Sequence, residues 1–154
     1  MKHLRHTLVI GLALTASLAA PAARAALGEP ESSITSDGER IAAQSRGVTA
    51  RAAYTVHELE SGGTTIREYV SPVGVVFAIG WNGLSHPDLA PLLGSYAEEY
   101  REAAAEAPHA KGRRSQRIVS AHVVVDRWGH MRDLHGRAVA KDLVPEGVSL
   151  DEIR

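Results

Sequence analysis

Alternating apolar and polar positions between residues 54 and 82 predict three consecutive β-strands. The first two runs, 54–60 and 65–71, flank Gly62-Gly63, a pair that supplies the positive φ angles of a two-residue hairpin turn. The segment 71–74 has Pro after Ser and Gly at its end, which predicts a type I turn with a bulge. We therefore expect a three-stranded antiparallel meander.

The two turns also predict the register of this meander. The expected opposed pairs are Leu59 with Ile66, Glu58 with Arg67, His57 with Glu68, Val70 with Val76, and Tyr69 with Phe77. Opposed residues share a face of the sheet. One face is therefore expected to be aromatic and to collect Tyr54, Val56, Tyr69, Phe77, Ile79 and Trp81. The other face is expected to be mixed, with His57 and Glu68 among small apolar residues.

Helical spacing of apolar residues over 88–107 predicts the main helix, with Asp88 as its N-cap, packed on the aromatic face. A weaker pattern over 33–46 predicts a minor helix that ends at Gly47. Residues 118–125 predict a strand, 126–129 a turn, and 130–139 the return strand of a hairpin. The remaining residues, 143–154, are expected to wrap the domain.

These elements predict an α+β fold in a single domain over residues 26–154. The sheet is expected to be mostly antiparallel, a three-stranded meander plus a C-terminal hairpin, packed on one main helix with a minor N-terminal helix. The predicted elements lack the alternation of strands and helices that would indicate a parallel nucleotide-binding sheet.

The first 25 residues have the pattern of a secretory signal peptide. A basic start is followed by an apolar run over 8–20 and by the small-residue triplet Ala23-Arg24-Ala25. The apolar run is shorter than the roughly 20 residues of a membrane span, and an uncleaved N-terminal anchor is the alternative. We expect cleavage after Ala25 and a periplasmic or secreted product with no transmembrane segment.

Composition and charge limit the kinds of site and partner that the protein can have. The chain has 154 residues and a net charge of −1. It has no Cys, which excludes thiolate metal sites, disulfides and a lipid-modified cysteine. Loss of Lys2, Arg5 and Arg24 with the signal leaves 14 basic against 18 acidic residues, a net charge of −4. This balance argues against nucleic acid as a partner. The basic run 111–117 is a local exception, either a solvated linker or a contact for anionic lipid or polysaccharide.

Several stretches of the mature chain resemble a known family. They are Ala26-Leu27-Gly28, Arg67-Glu-Tyr-Val-Ser-Pro72, Gly129-His-Met-Arg132 and Gly136-Arg-Ala138. In this order they resemble the exported proteobacterial family catalogued as domain of unknown function 2844, over nearly the whole mature chain. The resemblance implies an exported bacterial protein and brings no activity, cofactor or catalytic residue with it.

The ionisable residues suggest two candidate sites, the pair of His57 and Glu68 and the hairpin that contains His122 and His130. A carboxylate opposite a histidine, as expected for His57 and Glu68, favours the imidazolium and orients the ring, although ordinary cross-strand pairs do the same. His122 and His130 share a face only for some lengths of the intervening loop. No metal-ligand spacing and no nucleophile motif of a hydrolase is present, so we predict no metal, no cofactor and no catalytic residue.

The sequence therefore favours a non-enzymatic exported module that binds a partner protein or an envelope component, such as a polysaccharide, through its sheet. The alternative is a small-ligand binder or a hydrolase-like enzyme that uses His57 and Glu68 or the hairpin of His122 and His130. The candidate binding residues are His57, Glu68, Trp81, Trp128, His130 and Arg132.

Overall fold

A computed structural model of the chain describes residues 26–108 and 114–154. The predicted signal peptide, 1–25, and the first part of the basic run lie outside the described residues. A 3₁₀ turn over Glu31–Ser33 leads into α1, Ile34–Arg40, and a meander of four strands follows. These strands are β1, Gln44–Ala50; β2, Thr55–Ser61; β3, Thr64–Val70; and β4, Val76–Gly83.

The second half of the chain adds two helices and three strands. They are α2, Leu89–Leu93; α3, Ala97–Glu106; β5, Ser115–Val119; β6, Val123–His130; and β7, Asp133–Ala140. Short 3₁₀ turns join α2 to α3 and occur twice after β7, in residues 141–154, which we call the C-terminal tail. All neighbouring strands in the described residues pair antiparallel, in the order β1-β2-β3-β4-β7-β6-β5.

The α+β class is confirmed, but the predicted architecture is wrong because the sheet is larger than a meander plus a hairpin. In the described residues it has seven strands. The predicted helix over 33–46 stops at Arg40, and its last three residues begin the edge strand β1, in which every residue is exposed. The predicted strand over 118–125 is split by a turn at 120–122, and the predicted turn over 126–129 lies inside β6.

The β2–β3 hairpin matches the prediction. Gly62 and Gly63 form its turn at φ angles of 56° and 78°, and the three predicted opposed pairs are present. The turn over 71–74 is also present, with the Gly74 amide donating to the carbonyl oxygen of Ser71 at 2.9 Å. Short turns thus set the register of these strands, as their residue types indicate.

One extra residue in β4 makes the predicted faces wrong. Val70 faces Val76 as expected, but Tyr69 faces Ala78, so Phe77 is a bulge residue without an opposed partner. Because side chains alternate along a strand, one extra residue reverses the side of every later residue. Ile79 and Trp81 therefore lie on the face of Leu59 and Ile66, not with Phe77 and Tyr69.

The helices consequently cover the other face of the sheet from the one predicted. Trp81 is completely buried there, with Leu92 and Leu93 of α2, and we call this side the helix face. The main helical stretch is also interrupted, because α2 ends at Gly94, which has a φ of 53°. Asp88 is its N-cap as predicted, and its carboxylate accepts from the amide of Ala90 at 3.0 Å.

The C-terminal tail covers the opposite side, which we call the tail face. Tyr54, Tyr69 and Phe77 form a cluster with ring centroids 5.7 to 6.2 Å apart. Ile153 of the tail is completely buried against Tyr69 and Phe77. The aromatic side chains thus pack against an irregular segment rather than a helix, and each face of the sheet has its own apolar cluster.

Trp81 requires a glycine on the neighbouring strand. Gly136 of β7 lies opposite it, and a Cβ at Gly136 would be 2.2 Å from Cζ2 of the indole. We expect Gly136→Ala to lower the free energy of unfolding by about 1–3 kcal/mol, as overpacking of a dense core does.

Urea denaturation measures this change, and Gly47→Ala is the matched control. Gly47 also lies in a strand, but a Cβ there meets nothing within 4 Å, so its effect should stay within about 0.5 kcal/mol. Equal effects of the two substitutions would contradict the importance of the contact between Trp81 and Gly136.

Candidate functional site

A row of charged side chains crosses the tail face from one edge of the sheet to the other. Its members lie directly opposite one another on successive strands: Glu58, Arg67, Gly80, Arg137, Asp126 and Arg117. The strand pairing thus places three arginines and two carboxylates in one line, although they are far apart in sequence. We call this line the charged row.

Ion pairs join neighbours within the charged row. Nε of Arg67 is 2.9 Å from Oε2 of Glu58, and Nε of Arg137 is 3.0 Å from Oδ2 of Asp126. Nε of Arg117, on the edge strand β5, is 3.6 Å from Oδ1 of the same Asp126. Asp126 is nearly buried, so it neutralises part of the charge of both arginines, whereas Arg117 keeps 57% of its side chain exposed.

The C-terminal tail crosses the charged row at Gly80. A Cβ at Gly80 would be 2.7 Å from the carbonyl oxygen of Arg154, so only glycine lets the tail approach this closely. The hydroxyl of Tyr69 donates to that oxygen at 3.0 Å and accepts from the Arg154 amide at 3.0 Å. The tail therefore divides the tail face into two clefts.

The larger cleft lies between the tail and β5, and we call it the β5 cleft. It has a volume of about 700 Å³ and is lined by Ser115, Arg117, Asp126, Trp128, His135, Arg137, Asp151 and Arg154, with Gln116, Arg127 and Ile153. Three arginine side chains of this lining, Arg117, Arg137 and Arg154, face the carboxylates of Asp126 and Asp151, while the side chain of Arg127 lies on the helix face over the ring of Tyr100. The cleft is therefore cationic, although the chain as a whole is slightly acidic.

Two stacked rings form part of the wall of the β5 cleft. Trp128 of β6 and His135 of β7 lie opposite each other, with ring centroids 5.9 Å apart and planes inclined by 8°. The guanidinium carbon of Arg137 lies 6.0 Å from the centre of the indole. Nε2 of His135 is 2.9 Å from Oδ1 of Asp133, which orients the imidazole. These contacts hold the flat side of the cleft rigid.

The second cleft lies on the other side of the tail, next to β1, and has a volume of about 640 Å³. Two of its arginines, Arg46 and Arg67, form ion pairs shorter than that of Arg117 in the β5 cleft. Nε of Arg46 is 2.8 Å from Oε2 of Glu60, and Arg67 pairs with Glu58. The edge strand beside it is also irregular, because a register shift interrupts the pairing of β1 between Ser45 and Gly47.

A family model described as "Protein of unknown function (DUF2844)" matches residues 23–153. The chain belongs to this family. No curated protein and no solved structure matches it significantly. The resemblance noted from the sequence is thus confirmed, and the chemistry of this DUF2844 chain has to be inferred from its own side chains.

The predicted pair of His57 and Glu68 is altered by a second carboxylate, Glu31, in the structure of this family member. The two residues are opposed as predicted, but Glu68 is completely buried in the core. Nε2 of His57 is 2.7 Å from Oε1 of Glu31 instead, at the surface between α1 and the sheet. A ligand in contact with His57 would therefore meet Glu31 before Glu68.

The other candidate residues lie in three separate places. Trp81 is completely buried under the helices, and its Nε1 donates to Nδ1 of His86 at 2.9 Å. His130 and Arg132 are exposed at the β6–β7 turn, where Arg132 has a φ of 65°. Only Trp128, of the six candidates, lines the β5 cleft.

His122 and His130 do not form a joint site. They stand at opposite ends of β6, and eight residues of extended strand span roughly 26 Å. Nδ1 of His122 is 3.0 Å from Oε2 of Glu99 in α3, whereas Nε2 of His130 is 3.9 Å from Oδ2 of Asp133. The two histidines thus belong to different local networks.

His130 and His135 lie on two neighbouring strands, because the turn at 131–132 separates them. Both therefore reach the carboxylate of Asp133.

Sequence reasoning missed most of the lining of the β5 cleft. A two-residue turn centred on Met131 and Arg132 would have placed His135 opposite Trp128, but Gly129 is the stronger turn signal in the sequence. Within the described ranges no cluster of three or more His, Asp or Glu is arranged to hold a metal ion. None of the helices described there is long and apolar enough to cross a membrane.

Glu99 makes the stability of this region dependent on pH. Hydrogen bonds from the Ser120 hydroxyl and from the His122 amide lower the pKa of Glu99 from 4.5 to about 2. A carboxyl group whose pKa is lowered by folding stabilises the protein above its unfolded pKa. This contribution is lost as the pH falls from about 4.5 towards 2.

We expect Glu99→Gln to lower the melting temperature at pH 6 and to reduce the loss of stability between pH 4.5 and 2. Thermal denaturation across this range measures both effects. Glu102→Gln, on the exposed side of the same helix, is the control and should follow the native protein. Identical pH profiles of the native protein and Glu99→Gln would contradict the role of these hydrogen bonds.

Proposed function

We propose that the chain is an exported, non-enzymatic binding module that captures an acidic, extended segment of a partner protein. The segment adds to the free edge of β5, and its carboxylates enter the β5 cleft. The observation on which this rests is the combination of an edge strand with a cationic cleft directly beside it.

The edge of β5 offers regular backbone groups to a partner strand. The carbonyl oxygen of Arg114 accepts from Gly129, and the amide of Ser120 donates to Val123, both across the β5–β6 pair. Because hydrogen-bonded positions alternate in an antiparallel pair, the amides of Arg117 and Val119 face away from β6. Within the described residues the sheet ends there, so these amides lie at its free edge.

Charge favours an acidic segment. Arg117 lies on the same strand and is the least neutralised arginine of the charged row, with a pair distance of 3.6 Å to Asp126. Alternate side chains of an added strand would lie over the tail face, close to Arg117 and Arg137. Guanidinium groups bind carboxylates through two parallel hydrogen bonds, which gives both affinity and orientation.

β5 is favoured over β1 for two reasons. The register shift in β1 disturbs the regular spacing that an added strand needs, which is how many proteins protect their edges. Arg46 and Arg67 beside β1 are also more closely paired with carboxylates of their own chain than Arg117 beside β5 is. Both edges face solvent, so they differ in backbone regularity and in the pairing of their arginines rather than in exposure.

Binding of a fluorescein-labelled hexaglutamate peptide, followed by anisotropy, tests the proposal. We expect saturable binding that weakens as salt is raised, and a loss of affinity of about tenfold or more for Arg117→Glu, because like charges repel. Arg46→Glu is the matched control at the other edge, since its side chain is 50% exposed against 57% for Arg117.

A second variant separates backbone pairing from charge. Val119→Pro removes an edge amide and no charge, and proline is tolerated where the amide faces solvent. This variant should bind the hexaglutamate peptide more weakly and have nearly the same thermal stability as the native protein. Equal loss for Arg46→Glu and Arg117→Glu would overturn the site, and tight binding of polygalacturonate in place of hexaglutamate would assign the cleft to an acidic polysaccharide.

Export is the other part of the proposal, and the charged start, apolar run and small-residue triplet of residues 1–25 support it. Expression of the full chain in a bacterium should give a mature protein that begins Ala26-Leu27-Gly28. Intact-mass measurement of the periplasmic and cytoplasmic fractions tests this. Full-length protein confined to the cytoplasm would contradict export without affecting the binding site.

A further inference from the structure

A recess of about 240 Å³ lies on the helix-face side of the strands that form the β5 cleft, where the ends of β5, β6 and β7 meet the loop before α2. Three basic side chains line it, namely His86, Arg114 and Arg127. They come from three separate segments of the chain, and the strand pairing brings them together.

Arg127 is half-buried and forms no ion pair with a described residue. Its guanidinium carbon lies 5.6 Å from the centre of the Tyr100 ring, and its Nε is shielded from solvent without an acceptor among the described residues. Burial lowers the pKa of Arg127, because a guanidinium removed from water loses hydration. A buried cation without a partner is costly, so an anion bound here would relieve that cost.

Identified contacts hold the backbone of Arg114 and the ring of His86 beside the recess. The carbonyl oxygen of Arg114 accepts from the Gly129 amide at 3.1 Å, which fixes the start of β5 beside the recess. Nδ1 of His86 accepts from Nε1 of Trp81 at 2.9 Å. The proton of the neutral His86 ring is therefore on Nε2, which leaves an N–H donor on the side away from Trp81.

Acidic groups are lacking around the recess. The described residues that line it include no Asp or Glu, whereas the β5 cleft contains Asp126 and Asp151. The basic groups of the recess thus have no carboxylate beside them among the described lining residues, whereas those of the β5 cleft do.

We propose that this recess is a binding site for a phosphate group. A tetrahedral phosphate has enough acceptor oxygens for two guanidinium groups and an imidazole N–H, and a carboxylate has only two oxygens. Volume and charge fit free inorganic phosphate or a phosphate monoester on a small molecule. The site requires no partner peptide, so it and the β5 cleft can fail independently.

NMR detection of the Arg127 Nε–H signal tests the proposal on the full mature chain. Inorganic phosphate should shift this signal saturably, while sodium chloride at equal ionic strength and sodium acetate should not. Glycerol 3-phosphate forms the second arm. Tighter binding of the monoester than of free phosphate would identify a phosphorylated small molecule as the source, and the reverse would identify the free ion.

Substitutions distinguish the site from general attraction of anions. Arg114 is exposed, and Arg114→Gln should lower the affinity for phosphate by about tenfold, as expected for loss of a charged hydrogen bond. Arg51→Gln, at an exposed arginine on the far side of the sheet, should have no effect. Arg127→Met should abolish the thermal stabilisation that phosphate gives. If Arg127→Met fails to fold, the affinity of Arg114→Gln for phosphate tests the site alone. Shifts reproduced by chloride or acetate, or unchanged in Arg114→Gln, would overturn the proposal.

Discussion

The extra residue at Phe77 determines which side chains lie on which side of the sheet. Strand residues alternate between two faces, so a single unpaired position reverses the pattern beyond it. Phe77 turns towards the C-terminal tail while Trp81, four residues later, turns towards the helices. Without this bulge Ile79 and Trp81 would lie on the face of Tyr69 and Phe77, and the helix face would lose its largest buried side chain. With it, the helices and the tail each cover an apolar cluster.

The two glycines opposite large groups follow from the same arrangement. Gly136 leaves room for the Trp81 indole on the helix face, and Gly80 leaves room for the backbone of Arg154 on the tail face. Because the tail lies across the middle of the sheet, it leaves open the two margins of the tail face. The β5 cleft is therefore a consequence of how a short irregular segment covers a wide sheet, and its walls are the charged row and the tail itself.

Only part of the candidate site could be predicted from the sequence. Trp128 is one of two tryptophans, and Arg117 belongs to a dense basic run, so composition alone draws attention to both. Their neighbours Arg137, His135 and Asp126 could be found only by pairing β6 with β7 in the right register. The turn signals at Gly129 and at Met131-Arg132 compete locally, and pairing along the whole length of both strands decides between them. His57 and Glu68 show the converse, since their predicted register is right but the hydrogen bond of the His57 ring is with Glu31.

Local turn chemistry in the sequence determined the register of the β2–β3 hairpin, the position of the turn over 71–74, the N-cap at Asp88 and the α+β class. These depend on residues within a few positions of one another, and a glycine pair or a capping aspartate has few alternatives. Only the tertiary structure decided that β1 and β5 join the sheet as edge strands, because exposed strands need no apolar alternation that a sequence would reveal. It also decided which face the helices cover, since that depends on one bulge whose position is set by contacts on both sides of the sheet.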